Sequence, residues 1–264
     1  MAISEKAVVS SKAKIAEGVE IGPFAIVEDE VEIGPNVKIW PHAHICNGAT
    51  IGEGSQVHMG AVVGHLPQDL GFKNAKTFLK VGKGTIIREY ATLHRGTAEG
   101  SVTEVGDNCY LMALSHVGHN CHIGNNVILA NCALLAGHVS VGDYVFVSGN
   151  VVVHQFCRIG TLAMIGGFTG INKDVPPFML VRGPSVIRGV NLIGLRRAKF
   201  SRELIASIKE AYKFLFQSDM NTAQAVEEIK KLPPSKELDH LMEFVQTSKR
   251  GICKYKYSDD EYFE

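Results

Sequence analysis

Net charge is the first thing this 264-residue chain lacks, since 27 Lys and Arg balance 27 Asp and Glu. Without an excess of either sign there is no global field to hold nucleic acid or a charged membrane surface. Long apolar runs are missing too. No stretch approaches the ~20 residues that a transmembrane helix needs. The opening MAISEKAVVS has no basic flank followed by an apolar segment, so no secretory leader is expected. Cysteine is sparse, and the six (46, 109, 121, 132, 157, 253) include no C-x-x-C pair. That spacing argues against a disulfide framework and for a reduced, cytoplasmic setting. Absent as well are the ordinary periods: through most of the chain apolar residues recur neither every 3.6 residues nor in alternation.

What is present is a beat of six. Every sixth residue from Ile3 to Val63 is aliphatic, and after a break at 65–77 the beat resumes at Val81, Ile87 and Leu93. A second break falls at TAEGSV (97–102), beyond which twelve hexads run from Val105 to Ile171. Four places after the aliphatic residue stands a small or slim one, as at Ala7, Ala25, Val37, Ala43 and Ala61. Two or three such copies arise by chance in Val- and Gly-rich chains; more than twenty in phase do not. Neither a helix nor an alternating strand keeps this period. A prism does, if each hexad is one short strand and one turn and three hexads close a coil. Successive coils then stack at the strand spacing of about 4.8 Å. The aliphatic residue becomes an inward pillar, and the small one fits the narrowing corner. Glycine often follows the pillar (IGP, IGE, VGD, IGN), where it is expected to serve backbone angles closed to other residues. The two breaks are expected to be expelled loops, which on a regular scaffold are usually functional.

After VPPF (175–178) the beat ends, and prolines suit a stop. FSRELIASIKEAYKFLF then shows helical spacing, with Leu204, Ile208, Ala211 and Leu215 on one face and Ser201 as N-cap. Two more helices are predicted to start near Asn221 and Ser235. The expected fold class is mainly β: a parallel β-helix of hexapeptide repeats over 1–190, with loops at 65–77 and 97–102. A C-terminal α-helical domain over 191–264 covers strand edges that would otherwise lie unpaired. The closing KYKYSDDEYFE reads as an acidic, mobile end. The repeat resembles that of the hexapeptide-repeat acyltransferases, whose coil is left-handed. The hand is implied by that resemblance alone, because ordinary parallel crossovers are right-handed.

Four of the eleven histidines fall in LSHVGHNCHIGNNVILANCALLAGHVS (114–140), three of them spaced three apart at His116, His119 and His122. On a helix that spacing would share one face and suggest a metal site. On the prism, His116 and His122 directly precede pillars on successive faces, and His119 occupies a turn. One chain does not focus all three on one ion. The γ-type carbonic anhydrases share this architecture and hold zinc between subunits, with two ligands from one chain five residues apart. No such pair stands in 114–140, so no metal and no cofactor is expected there. His122 reads as a surface imidazole.

Several further segments resemble one family along the chain. They are PQDL (67–70), IRE with TLHRGT (87–89, 92–97), SHVGHNC (115–121), LAGHVSVGD (135–143), VHQF (153–156), GGFTGINKDVPPF (166–178) and GVNLIGLRR (189–197). Together they are similar to the UDP-N-acetylglucosamine 3-O-acyltransferases that begin lipid A synthesis. The resemblance implies transfer of a 3-hydroxyacyl group from acyl carrier protein to the sugar 3-hydroxyl, within a homotrimer. It makes His119 the general base and the Gly137 N–H the oxyanion donor. Around substrate it sets His116, Asn120, His138, His154 and Gln155, with Gln68, Asp69, Asn191 and Arg197 meeting the sugar nucleotide. Gly166 and Gly167 occupy the turn where related enzymes measure the acyl chain, and a glycine there implies a long chain. The chemistry suits the residue types: a sugar hydroxyl attacks only when a base takes its proton, and histidine as a type titrates near neutrality. Blander roles exist for each. His138 and Asn120, 18 residues apart, stack as neighbours in a ladder, and His154 beside a core valine reads equally as a satisfied, half-buried group.

The chain departs from the pattern at four places. Asn120 stands where the family has an acid, Gly71 where a lysine is usual, Ile193 where a glutamate is common and Ala198 where a second arginine closes the motif. These changes leave a 3-amino sugar nucleotide open as acceptor. Six basic residues between Arg196 and Lys213 face only Glu203 and Glu210, a local patch for an acidic carrier protein. The rivals are the sister N-acyltransferase, an acetyl-CoA-dependent hexapeptide transferase, a zinc hydratase of the γ-carbonic anhydrase type and a non-catalytic scaffold.

Overall fold

The structure, a computed structural model, describes residues 2–255; the acidic end expected beyond Tyr255 lies outside them. The chain folds as a left-handed parallel β-helix with helices at its C-terminal end. Every third strand falls on the same face, giving sheets of eleven, nine and eight strands among the described residues. The first face contains Gln56–Val57 and Ile128–Leu129, the second His44–Ile45 and His116–Val117, the third Ala49–Ile51 and His122–Ile123. Pillars sit in strict register from coil to coil: Ile21 pairs with Ile39, Val117 with Leu135, and Ile123 with Val141. The pillars Ile39, Ile45, Leu111, Leu129 and Leu135 and the small residues Ala25, Ala43 and Ala61 are fully buried. At ~1.5–3 kcal/mol per buried aliphatic side chain, this column is the main source of stability.

The glycines after the pillars have a different reason from the one expected. Gly118 does not adopt a positive φ; a Cβ there would meet the Ala136 carbonyl carbon of the next coil at 2.7 Å. These glycines allow close approach between coils. The left-handed residue comes two places later, where Asn36, Asn108, Asn120 and Asn126 have φ between 53° and 59°. Such angles cost most side chains ~1–2 kcal/mol, and Asn less than others. The corner between third and first faces uses mainly Asn and Gly at this position (Gly18, Asn36, Gly54, Gly84, Asn108). The corner between first and second faces instead carries Phe24, Tyr90, Leu114 and Phe168, all largely exposed.

Two coils are longer than eighteen residues. The partner of Ile51 is Val81, thirty residues on, and that of Val81 is Val105, twenty-four on. The surplus leaves as loops after Val62–His65 and after Thr92–His94, both from the corner between second and third faces. Past VPPF the regular structure continues: Met179–Val181 adds in parallel to the first face, and Ile187–Val190 returns antiparallel.

Among the described residues four helices follow: α1 (Leu192–Arg197), α2 (Arg202–Phe216), α3 (Thr222–Ile229) and α4 (Lys236–Gln246). Ser201, Asn221 and Ser235 cap the last three as the sequence predicts, while α1, short and glycine-containing, gave no helical period. The buried face of α2 is Ile208, Ala211, Tyr212 and Phe216; Leu204 and Leu215 are only half-buried. Arg158 ties α4 to the prism. Its guanidinium pairs with buried Asp174 at 3.1 Å, donates to the Phe244 carbonyl at 2.8 Å and stacks 4.3 Å from the Phe244 ring.

Candidate active site

Three successive coils turn the same corner, between second and third faces, with HVGHNC, LLAGHV and VVHQFC. Asn120, His138 and Phe156 take the left-handed angle there, so their side chains stack in a column. The His138 ring lies parallel to Phe156 at 4.7 Å and edge-on to His119 at 5.2 Å. His119 precedes Asn120 in its turn, and its side chain is 13% exposed. Its Nδ1 lies 3.0 Å from Asn120 Oδ1, which also accepts from the Thr97 hydroxyl at 2.9 Å. A carbonyl oxygen only accepts, so Nδ1 carries the proton and Nε2 is left with a lone pair. Thr103 Oγ1 accepts from the Asn120 N–H at 2.7 Å and holds the turn.

Gly137 stands directly above His119. A Cβ at Gly137 would meet His119 Nε2 at 2.5 Å, so the imidazole lies across this glycine. The Gly137 carbonyl accepts from the Phe156 N–H at 3.2 Å, while its own N–H has no partner among the described residues. The Nε2 lone pair and an amide donor left unused among the described residues therefore lie close together at one corner. Asp69 approaches from the first loop, with Oδ2 3.9 Å from His119 Nε2 and Oδ1 accepting from the Gly71 N–H at 2.7 Å. Gln68 beside it is exposed.

His116 lies on the second face in the same coil and shares a 2.8 Å hydrogen bond with Thr92 Oγ1. Burial, then the neighbouring His119, pushes both His116 and His138 below the ordinary imidazole value. His94, 5% exposed, packs edge-on to His116 at 4.9 Å, and burial and its histidine neighbours push it down to about 4. His154 is exposed, not half-buried, and its Nδ1 lies 3.1 Å from the Gln155 carbonyl; Gln155 is exposed as well. His122 is an exposed imidazole 3.2 Å from Glu104 and takes no part.

Three sequence-predicted residues stand elsewhere in the chain. Asn191 is buried as the cap of α1, accepting from the Gly194 N–H at 3.0 Å and donating to the Leu162 carbonyl at 2.8 Å. With exposed Arg197 it lines a cleft of about 950 Å³ over the first face, beside Ile128, Phe146 and Met164. Gly167 is exposed on the corner between first and second faces. Sequence reasoning missed Thr97, His94 and Phe156 as parts of the cluster. Thr97 and His94 stood inside TLHRGT, and Phe156 lies 18 residues after His138, the interval that stacks side chains at a corner.

Comparison with known proteins identifies the family and the fold. Residues 12–47, 30–65 and 103–137 match the bacterial transferase hexapeptide family, and 174–253 match the second domain of the UDP-N-acetylglucosamine O-acyltransferase family. An acyl-[acyl-carrier-protein]–UDP-N-acetylglucosamine O-acyltransferase from Thermodesulfovibrio yellowstonii is 44% identical over 96% of this chain and 99% of its own. One from Halorhodospira halophila is 42% identical over the same shares. The solved UDP-N-acetylglucosamine acyltransferase of Bacteroides fragilis superposes with a TM-score of 0.92 at 40% identity, covering 94% of this chain and 98% of that one.

Proposed function

Because the chain belongs to the UDP-N-acetylglucosamine O-acyltransferase family, we propose that the turn at His119 carries its acyl transfer from acyl carrier protein to UDP-N-acetylglucosamine. The group moved is a 3-hydroxyacyl chain, the acceptor is the sugar 3-hydroxyl, and the reaction opens lipid A synthesis in the cytoplasm. The observation that carries this reading is the His119 imidazole, with its Nδ1 proton given to Asn120 and its Nε2 open beside the unused Gly137 N–H.

His119 Nε2 takes the proton of the sugar 3-hydroxyl as its oxygen attacks the thioester carbonyl. The carbonyl π electrons move onto oxygen, and the Gly137 N–H stabilises that oxyanion. Collapse re-forms the carbonyl and breaks the carbon–sulfur bond; the departing thiolate takes the proton back from the His119 imidazolium. Asn120 orients the ring but brings no charge. Asp69 Oδ2, 3.9 Å from Nε2, supplies the missing counter-charge from the other side.

The active unit is a homotrimer with its site between subunits. The largely exposed Phe24, Tyr90, Leu114 and Phe168 on one corner support this, since apolar side chains at strained angles are stabilised by contact. The third face instead presents Lys14, Glu32, Glu104 and Arg158 outward. A threefold axis along the apolar corner would bring the second face and His119 of one subunit toward the first face of the next, with its Asn191 and Arg197. His154, Gln155 and Gln68 would then edge the same crevice. Arg196, Arg197, Lys199, Arg202 and Lys209, all exposed, form a landing patch for an acidic carrier protein.

The test is transfer by purified protein from a panel of 3-hydroxyacyl carrier proteins to UDP-N-acetylglucosamine and to its 3-amino analogue. His119→Ala is expected to lower kcat by ~10²–10⁴-fold with the oligomer intact. A folded variant that keeps most of its activity would refute the assignment, and preference for the amine would change the acceptor.

A further inference from the structure

The corner that carries His119 holds a second cluster three and four coils nearer the N-terminus, and acyl transfer has no use for it. Glu28 and Cys46 follow the pillars Val27 and Ile45 on successive coils, and His44 precedes Ile45 on the second face. Glu28 is fixed at both oxygens: Oε2 accepts from the Asn47 N–H at 2.8 Å, and Oε1 lies 2.8 Å from His44 Nε2. Of the five buried cysteines, Cys109, Cys121, Cys157 and Cys253 each donate to a backbone carbonyl. Cys46 does not. Its sulfur has no hydrogen-bond partner among the described residues, and it lies with His44 nitrogen and Glu28 oxygen in a group whose atoms are all within 4.8 Å of one another.

We propose that Glu28, His44 and Cys46 bind a borderline divalent transition-metal ion of the zinc class, which staples two coils beneath the root of the first loop. A mixed nitrogen, sulfur and oxygen set suits such an ion, whereas hard cations avoid sulfur. In a tetrahedral zinc site, donor atoms stand roughly 3.3–3.8 Å apart given bonds of about 2.0–2.3 Å, so the Cys46 sulfur need draw in by no more than about an ångström, while His44 Nε2 and Glu28 Oε1, hydrogen-bonded at 2.8 Å, exchange that bond for the metal and spread slightly. His44 and Glu28 are 31% and 40% exposed in their side chains, which leaves an entry path and a fourth position for water. A metal ion binds the thiolate of Cys46, so binding displaces the thiol proton. Binding therefore forms a metal–sulfur bond, breaks the S–H bond and releases that proton to solvent. The loop that carries Asp69 leaves just after Gly64, where a Cβ would lie 3.8 Å from the Cys46 Cβ.

The full-length protein, stripped with chelator and titrated with cobalt(II) as probe, is expected to take up one ion per chain. Thiolate-to-cobalt charge-transfer absorption should appear, zinc(II) should displace the cobalt, and Tm should rise. Cys46→Ser should remove the band, with folding checked by circular dichroism. His44→Ala, at a half-exposed position, should weaken uptake by more than the ~10–100-fold that loss of an outer-shell partner costs. His119→Ala and Cys132→Ser should keep both. Absence of stoichiometric uptake, a band that survives Cys46→Ser, or uptake lost with His119→Ala would each overturn the proposal; the last would move the ion to the histidine corner.

Discussion

At His119 everything depends on which ring nitrogen holds the proton, and a neutral amide settles it here. A carboxylate in place of Asn120 would orient the ring equally and would also favour its charged form. Asn120→Asp is therefore expected to move the acidic limb of the kcat/KM profile upward by about one pH unit. An unmoved limb would show that Asp69 already saturates the effect. His94 gives a second prediction, on stability. Held at about 4 in the fold, against about 6.5 unfolded, it binds fewer protons folded than unfolded between those values. Its contribution is fully present above the unfolded pKa and is lost as pH falls through that window. Roughly 2 kcal/mol should disappear between pH 7 and pH 5, read by urea unfolding at each pH. His94→Gln should flatten that dependence.

At the scale of the element, the hexad turn separates duties by position. The residue after the pillar is glycine where coils approach closely, the next is His119 or Gly137 at the proposed site, and the third takes the left-handed angle. Gly167 occupies the second of these places on the apolar corner, and a Cβ there would meet Gly149 O at 3.3 Å and Ser148 Oγ at 3.5 Å. The backbone tolerates a side chain, which must project outward. Gly167→Met is expected to shift selectivity toward shorter 3-hydroxyacyl chains in competition assays, and unchanged selectivity would show that this turn does not measure length. The pillars were legible because burial imposes their period on the sequence, from Ile21 through Ile171. The turn at His119 could be located because it keeps that beat. Contacts made by the loops could not: neither Thr97 donating to Asn120 nor Asp69 approaching His119 follows any period. Glycine's true reason was also hidden, since Gly118 is constrained by Ala136 eighteen residues away.

For the whole molecule, the chain separates what the family resemblance groups together. Asn191 and Arg197 lie over one face and His119 on the far corner, a division that the proposed trimer would close. Tyr90→Asp with Leu114→Asp should therefore yield a species near the 28.7 kDa chain mass by light scattering, with activity falling in step. An active monomer would sink the intersubunit site. The two expelled segments add twelve and six residues beyond the standard coil, whole hexads in each case, and both leave from one corner. If the loops meet substrate as proposed, recognition can be rewritten by lengthening or trimming either excursion without disturbing the rows of Ile, Leu and Val inside. Evolvability and robustness are assigned to different parts of the same turn of chain.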